Sequence, residues 1–185
     1  MPPDTARENA LRELAQEWAK VSPAAAENWA RKLQDPAERE LALTQICFEV
    51  AAMDPRESIR IARTGNLHPA TVDAVLTRWA EEDFKAASSW TGELPEGELR
   101  DRLLMRLVQS RANSAPDEAA ALLSESPLSA TMQDEAAMAV LHQWLLKDPE
   151  AAREWVELFP EGALKERATG AVRGMTAHRG ARGGG

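Results

Sequence analysis

The sequence predicts an all-α protein: an α-solenoid, a right-handed superhelix of five helix-turn-helix repeats of about 32 residues, plus a C-terminal capping helix. Three observations predict it. Tryptophans eleven residues apart occur three times, as Trp18/Trp29, Trp79/Trp90 and Trp144/Trp155. Each pair brackets one step (Ser22-Pro23, Asp83-Phe84 or Asp148-Pro149), and similar steps stand at Asp54-Pro55 and Ala115-Pro116. The first residues of these five steps are marks spaced by 32, 29, 32 and 33 residues, and fixed offsets from them carry the same kind of side chain.

Upstream of each mark the offsets define a long helix. Eight residues before it stand Leu14, Ile46, Val75, Leu107 and Val140, and seven before it Ala15, Cys47, Leu76, Val108 and Leu141. Eleven before it are Leu11, Leu43, Val72, Leu104 and Ala137; three before it are Ala19, Ala51, Ala80, Ala112 and Leu145. Apolar residues at these steps form one stripe along a helix of 3.6 residues per turn. Downstream a shorter helix carries a small residue at the fourth position (Ala26, Ser58, Ala87, Ala119, Ala152) and a large one at the seventh (Trp29, Ile61, Trp90, Leu122, Trp155). A small residue one turn before a large one suits closely crossing helices. No period-two segment rich in β-branched residues occurs, so no strand is expected.

The element boundaries follow in order. Thr5 with Glu8 reads as a capping box opening the first helix. Ser22-Pro23, Asp35-Pro36, Asp54-Pro55 and Asp148-Pro149 each set a cap acceptor before a proline at the first helical position. His68 before Pro69 reads as a cap rather than a ligand. Second helices are expected to end at Gly65, Leu94-Pro95, Ser126-Pro127 and Phe159-Pro160. Units one, three and five carry the tryptophan pair; Val50/Ile61 and Arg111/Leu122 replace it in units two and four. A last helix from about 163 to 175 would cover the fifth hairpin with Leu164, Ala168, Val172 and Met175, leaving Lys165, Glu166, Arg167 and Arg173 outside. The domain reading is a disordered N-terminus over 1–4, one solenoid domain over 5–175, and a disordered Gly/Arg tail over 176–185.

The pattern resembles the tetratricopeptide-like helical-hairpin superfamily. More closely it resembles bacterial tandem repeats written Trp-x-x-x-Asp-Pro-x-x-Ala-x-x-Trp followed by Leu-Pro-Glu-Gly. The matching residues are Trp144, Asp148-Pro149, Ala152, Trp155 and Phe159-Pro160-Glu161-Gly162. Trp79, Asp83, Ala87, Trp90 and Leu94-Pro95-Glu96-Gly97 match similarly, with Phe84 in place of proline. The likeness covers about residues 8 to 175 and departs from the common tetratricopeptide pattern in its shorter period and second helix. It implies an interaction scaffold without a shared catalytic residue.

Composition narrows the function classes. The net charge of −8 divides into +4 from Ala163 onward and −12 over the rest. An acidic body argues against nucleic acid as the main ligand, which needs clustered Lys and Arg. No apolar stretch approaches the roughly 18 residues of a membrane span. Met1-Pro2-Pro3-Asp4 lacks the pattern of a signal peptide, so a cytoplasmic location is expected; a mature N-terminus left by signal removal would read the same and admits the periplasm. The single cysteine, Cys47, sits at a core offset and reads as a buried thiol. His68, His142 and His178 have no second ligand at metal spacing, and no nucleophile relay or phosphate loop can be assembled. Neither a cofactor nor catalysis is expected.

The binding candidates lie on the polar face of the long helices. Six before the mark are Gln16, Phe48, Thr77, Gln109 and His142; nine before it are Glu13, Gln45, Ala74, Arg106 and Ala139. These vary between units while the core offsets stay constant, which is how a repeat scaffold acquires specificity. With the apolar Met105 and Met138 beside them, the candidate partner-binding set is Gln16, Gln45, Phe48, Thr77, Met105, Arg106, Gln109, Met138 and His142. The expected function is a non-catalytic scaffold or adaptor holding a peptide or helix of a protein partner in a concave groove. The alternative is a structural component that self-assembles or docks on a larger assembly through the repeat ends.

Overall fold

Proline after a cap residue recurs in this chain, and where it recurs a helix starts. The computed structural model describes residues 3–126 and 128–182, with side chains over 5–126, 128–129 and 131–175. Eleven helices run through these residues, and no strand occurs among them. They are α1 (Pro3–Val21), α2 (Pro23–Arg31), α3 (Pro36–Ala51), α4 (Pro55–Thr64), α5 (Pro69–Glu82), α6 (Phe84–Gly92), α7 (Glu98–Ala112), α8 (Pro116–Glu125), α9 (Ala130–Lys147), α10 (Pro149–Glu157) and α11 (Ala163–Arg182). By contacts the chain divides into two compact units, Met1–Ala87 and Ser88–Gly185.

The five marks share one backbone conformation. Ser22, Asp54, Asp83, Ala115 and Asp148 have φ between −153° and −137° and ψ between 81° and 91°. At each mark the amide donates back to the carbonyl four residues earlier, at 2.7–2.8 Å. Each mark's carbonyl in turn accepts from the amide four residues later, at 3.0–3.1 Å. One extended residue thus joins two helices without an unpaired backbone group, the condition that limits helix ends. The residue four positions on is 0% exposed in all five cases, including Ser58 in place of alanine. Cβ size is what this close approach constrains.

Side chains close the corners unequally. Asp54, Asp83 and Asp148 accept from the backbone N–H three residues on, at 2.9–3.1 Å. Asp35 accepts from Ala37 and Glu38, and His68 Nδ1 accepts from the Ala70 amide at 3.2 Å, as a cap does. Ser22 makes no side-chain cap bond, contrary to expectation. The φ of Pro23 and the corner's own backbone bonds suffice there. Nor does Thr5 open α1, because the helix already begins at Pro3.

In the first unit α1 packs on α2 and α3, α3 on α2, α4 and α5, and α4 on α5. In the second, α7, α8 and α9 pack mutually, as do α9, α10 and α11. Bonds between neighbouring hairpins span one repeat. Arg60 reaches Glu27, Arg31 reaches Thr64, and Lys147 reaches the Ser114 carbonyl, each 33 residues away. The seven-before offset is fully buried in every unit: Ala15, Cys47, Leu76, Val108 and Leu141 are all 0% exposed.

The eight-before offset divides. Ile46, Val75, Leu107 and Val140 are 0–2% exposed, but Leu14, expected in the core, is 50% exposed. The reason lies in which way that position looks. Val140 packs into the cluster of Leu104, Val108, Ala112 and α8, on the preceding hairpin. Leu141 packs instead with Ala168 and Val172 of the following helix. Among the described residues no helix stands on the preceding side of α1 to cover Leu14.

Two glycines of the Pro-Glu-Gly segments fix the entries to α7 and α11. Gly97 has φ +150° and Gly162 φ +147°, and their carbonyls accept from Asp101 and Glu166 at 3.1 Å. Only glycine adopts that backbone without strain. α4 ends at Gly65 as expected, with φ −81°, and Asn66 after it takes the left-handed turn at φ 57°. Gly65 serves close approach, since a Cβ there would lie 2.9 Å from the Ile61 carbonyl oxygen and 3.1 Å from Leu43 Cδ1. α11 continues to Arg182 rather than ending near Met175, so residues 176–182 of the expected tail are helical; 183–185 lie outside the described residues, as do Met1 and Pro2.

Candidate functional site

The nine sequence-derived positions fall on the long helices, four in the first unit and five in the second. In the first unit α1, α3 and α5 lie side by side, and carry Gln16, Gln45, Phe48 and Thr77. Gln16, Gln45 and Thr77 are half-buried; Phe48 is 41% exposed. An exposed phenylalanine next to the fully buried Cys47 is an apolar knob on an otherwise polar face. Thr77 is partly occupied with its own helix, its hydroxyl donating to the Asp73 carbonyl at 2.8 Å. Glu49, beside Phe48, contributes negative charge near Lys20, whose ammonium is held above its ordinary value chiefly by its hydrogen bond to Glu17.

In the second unit α7 carries Met105, Arg106 and Gln109, and the adjacent α9 carries Met138 and His142. Arg106, Gln109 and His142 are exposed. Met105 and Met138 are half-buried and pack on the cores around Val140 and around Leu141, so each spends part of its side chain on packing.

The tryptophans are wedges more than anchors. Trp18 and Trp29 stack with ring centroids 5.4 Å apart at 37°; Trp144 and Trp155 repeat this at 5.4 Å and 36°. All four are half-buried, and Phe159 adds an edge-on contact to Trp155 at 4.8 Å. Such tilted pairs gain energy beyond their area. Trp79 is buried, with the Arg56 guanidinium 5.9 Å above its ring.

Sequence reasoning passed over the strongest polar cluster. Glu27, 8% exposed, accepts from Arg31 Nε and Nη2 at 2.9 and 2.7 Å and from Arg60 on the next hairpin. Burial pushes the Glu27 carboxyl up, but the hydrogen bonds from Arg60 and Arg31 outweigh it and hold it below its ordinary value. Arg60 is raised, first by its bond to Glu57 and then by Glu27. The signal was present as an acid and a base one repeat apart, yet their offsets from the mark differ by one. The cluster ties two hairpins together.

Cys47 donates to the Ser58 carbonyl at 2.9 Å, while the Ser58 hydroxyl donates to the Cys47 carbonyl at 2.7 Å. Burial raises the thiol above its ordinary value, which disfavours the thiolate that a nucleophile needs and suits a packing group. Among the described residues no three His, Cys, Asp or Glu side chains are grouped to hold a metal, and no helix is long and apolar enough to cross a membrane. A cavity of about 400 Å³ lies between the starts of α1 and α3, lined by Arg7, Leu11, Arg12, Asp35, Glu38 and Leu41, and bridged by an Arg7–Glu38 ion pair.

Comparison with known proteins returns no match: no family model, no curated protein and no solved structure is similar to this chain.

Proposed function

We propose that the five hairpins stack as a right-handed α-solenoid of the tetratricopeptide-like kind and serve as a protein-interaction scaffold. The scaffold binds an extended peptide or a helix of a protein partner on the exposed face of its long helices, without catalysis. One observation carries this reading. The seven-before position is fully buried in all five units, while the adjacent six-before position is exposed or half-buried in all five and carries four different residue types, Gln, Phe, Thr and His. A constant core beside a varied open face gives each hairpin its own contact chemistry. Phe48 is the apolar anchor of the first unit, and Arg106 and His142 supply donors in the second.

The test is titration of a partner captured from the native host against Phe48→Ala, Arg106→Ala and His142→Ala proteins. All three side chains are exposed, so each variant keeps its fold. Removing a central anchor weakens binding by roughly tenfold or more, at about 1.4 kcal/mol per decade. Unchanged affinity in all three overturns the assignment.

A further inference from the structure

We propose that the open face of α7, α9 and α11 in the second unit receives a partner segment rich in Asp and Glu around a large apolar side chain. The inference rests on the interaction reading above and adds the partner's chemistry for this unit. Within the unit, charge is divided between short and long helices. The short helices α8 and α10 carry six Asp or Glu and one Arg. The long helices α7, α9 and α11 carry ten Lys or Arg against five acids. Those five, Glu98, Asp101, Asp134, Glu135 and Glu166, all stand in the first two turns, and the rest of each helix has no carboxylate. The long helices of the first unit, α1, α3 and α5, have the opposite balance, ten acids to five bases. A basic long-helix layer therefore belongs to the second unit and is no general property of the repeat.

α7 packs on α9, and α9 on α11. Gly97 and Gly162 hold nearly the same positive φ directly before α7 and α11, so residues equally far from them correspond. Arg102 answers to Arg167, Arg106 to Ala171 and Gln109 to Gly174. Counted from the marks, α9 supplies Glu135, Ala139 and His142 at those levels. Arg106, His142 and Arg167 are exposed and have no hydrogen bond or ion pair among the described residues. Arg100, Arg111 and Arg153 of the same unit are paired with carboxylates, and Arg102 is engaged as well. Free guanidinium donors suit carboxylates in particular. Glu135 is the carboxylate at these levels, so the attraction centres on Arg106 and His142, further along the helices. Arg173 answers to Val108 and lies off these levels. With Glu161, Lys165, Glu166, Thr169 and Gly170 it borders an open hollow of about 330 Å³ where both signs meet, and that hollow takes no part. The apolar contact comes from α9: Met138 and Leu146 stand four residues either side of His142, Met138 half-buried and Leu146 63% exposed. A phosphate backbone would share the attraction to Arg106. The unit as a whole, however, has fifteen acids to eleven bases. A short segment can keep to the basic levels, whereas a nucleic-acid strand would extend over carboxylates.

Selection of a displayed random-peptide library on the full chain, followed by fluorescence anisotropy of the selected peptides, tests this. The expected peptides are enriched in Asp and Glu around an apolar residue, and their affinity falls with added salt. Arg106→Glu and Arg167→Glu each weaken binding by about tenfold or more, and peptides with Lys in place of Glu regain affinity for Arg106→Glu protein. Arg153→Glu, on the short helix α10, leaves affinity unchanged. Neutral or basic peptides that are lost with Phe48→Ala and indifferent to Arg106→Glu overturn this proposal and leave the interaction reading standing. Selection of no peptide at all overturns both. Acidic peptides indifferent to Arg106→Glu, or a single-stranded oligonucleotide bound more tightly than they are, also overturn it. Circular dichroism of each variant keeps loss of binding apart from loss of fold.

Discussion

Replacing Gly97 or Gly162 with alanine isolates a purely conformational cost. Gly97 sits at φ +150°, ψ 175°, and Gly162 at φ +147°, a region that L side chains rarely enter. An added Cβ would meet nothing within 4 Å at either position, so no clash contributes. The remaining cost is the strain of the backbone itself, of order 1–3 kcal/mol per site. For a chain of 185 residues this lowers the melting temperature by about 2–4 °C per kcal/mol. Urea denaturation followed by circular dichroism should show a lower midpoint with an unchanged slope for each variant. Gly92→Ala, at the end of α6 with equally open space and no positive φ, is the control and should shift nothing or stabilise slightly. D-Alanine at position 97 adopts the mirror of ordinary extended backbone and should restore the midpoint. Equal midpoints for Gly97→Ala, Gly162→Ala and Gly92→Ala would refute the claim that these two backbones hold the entries to α7 and α11.

Other consequences follow from the same geometry. Ile46→Ala should cost about 2–5 kcal/mol, because Ile46 is fully buried, whereas Leu14→Ala at the equivalent offset should cost well under about 1 kcal/mol by urea denaturation. The Glu27 carboxyl is lowered in the folded state, so its stabilisation is full above its unfolded value and lost as pH falls through its folded value. Glu27→Gln should therefore flatten that part of the acid-side loss of stability in denaturant midpoints measured against pH. Cys47 is buried with its thiol raised, so a thiol reagent at mildly alkaline pH should label it only as fast as the fold opens, and rapidly in denaturant.

The corners were legible in the sequence because their chemistry is local. An acidic or hydroxyl residue before proline, a small residue four positions on and an apolar stripe upstream act within one hairpin, so no distant contact had to be known. Leu14 shows where such reasoning stops. Its offset, type and neighbours match Ile46, and only the absence of a covering helix separates them, a fact of tertiary arrangement. Asn66 was passed over for a different reason: Gly65 marks the end of α4, and nothing local shows that the residue after it takes the left-handed turn. Of the candidate positions, Phe48, Arg106, Gln109 and His142 are exposed. The sequence could not show that Met105 and Met138 divide themselves between core and surface, because one methionine side chain serves both. The Glu27–Arg60 bond was hidden because two helices one repeat apart need not be in the same rotational phase.

The uniform corner has a bearing on how such a chain tolerates rearrangement. Where every junction has the same dihedral angles and the same pair of amide bonds, a crossover at that residue splices the front half of one hairpin to the back half of another with no change in backbone path. Differences in length among the front helices, from 14 residues in α5 to 19 in α1, then fall at their far ends, away from the splice. Recombinants joined at Asp54, Asp83 or Asp148 should fold more often than recombinants joined in the connections after α4, α6 or α10, where Asn66, Gly97 and Gly162 each hold a turn of their own.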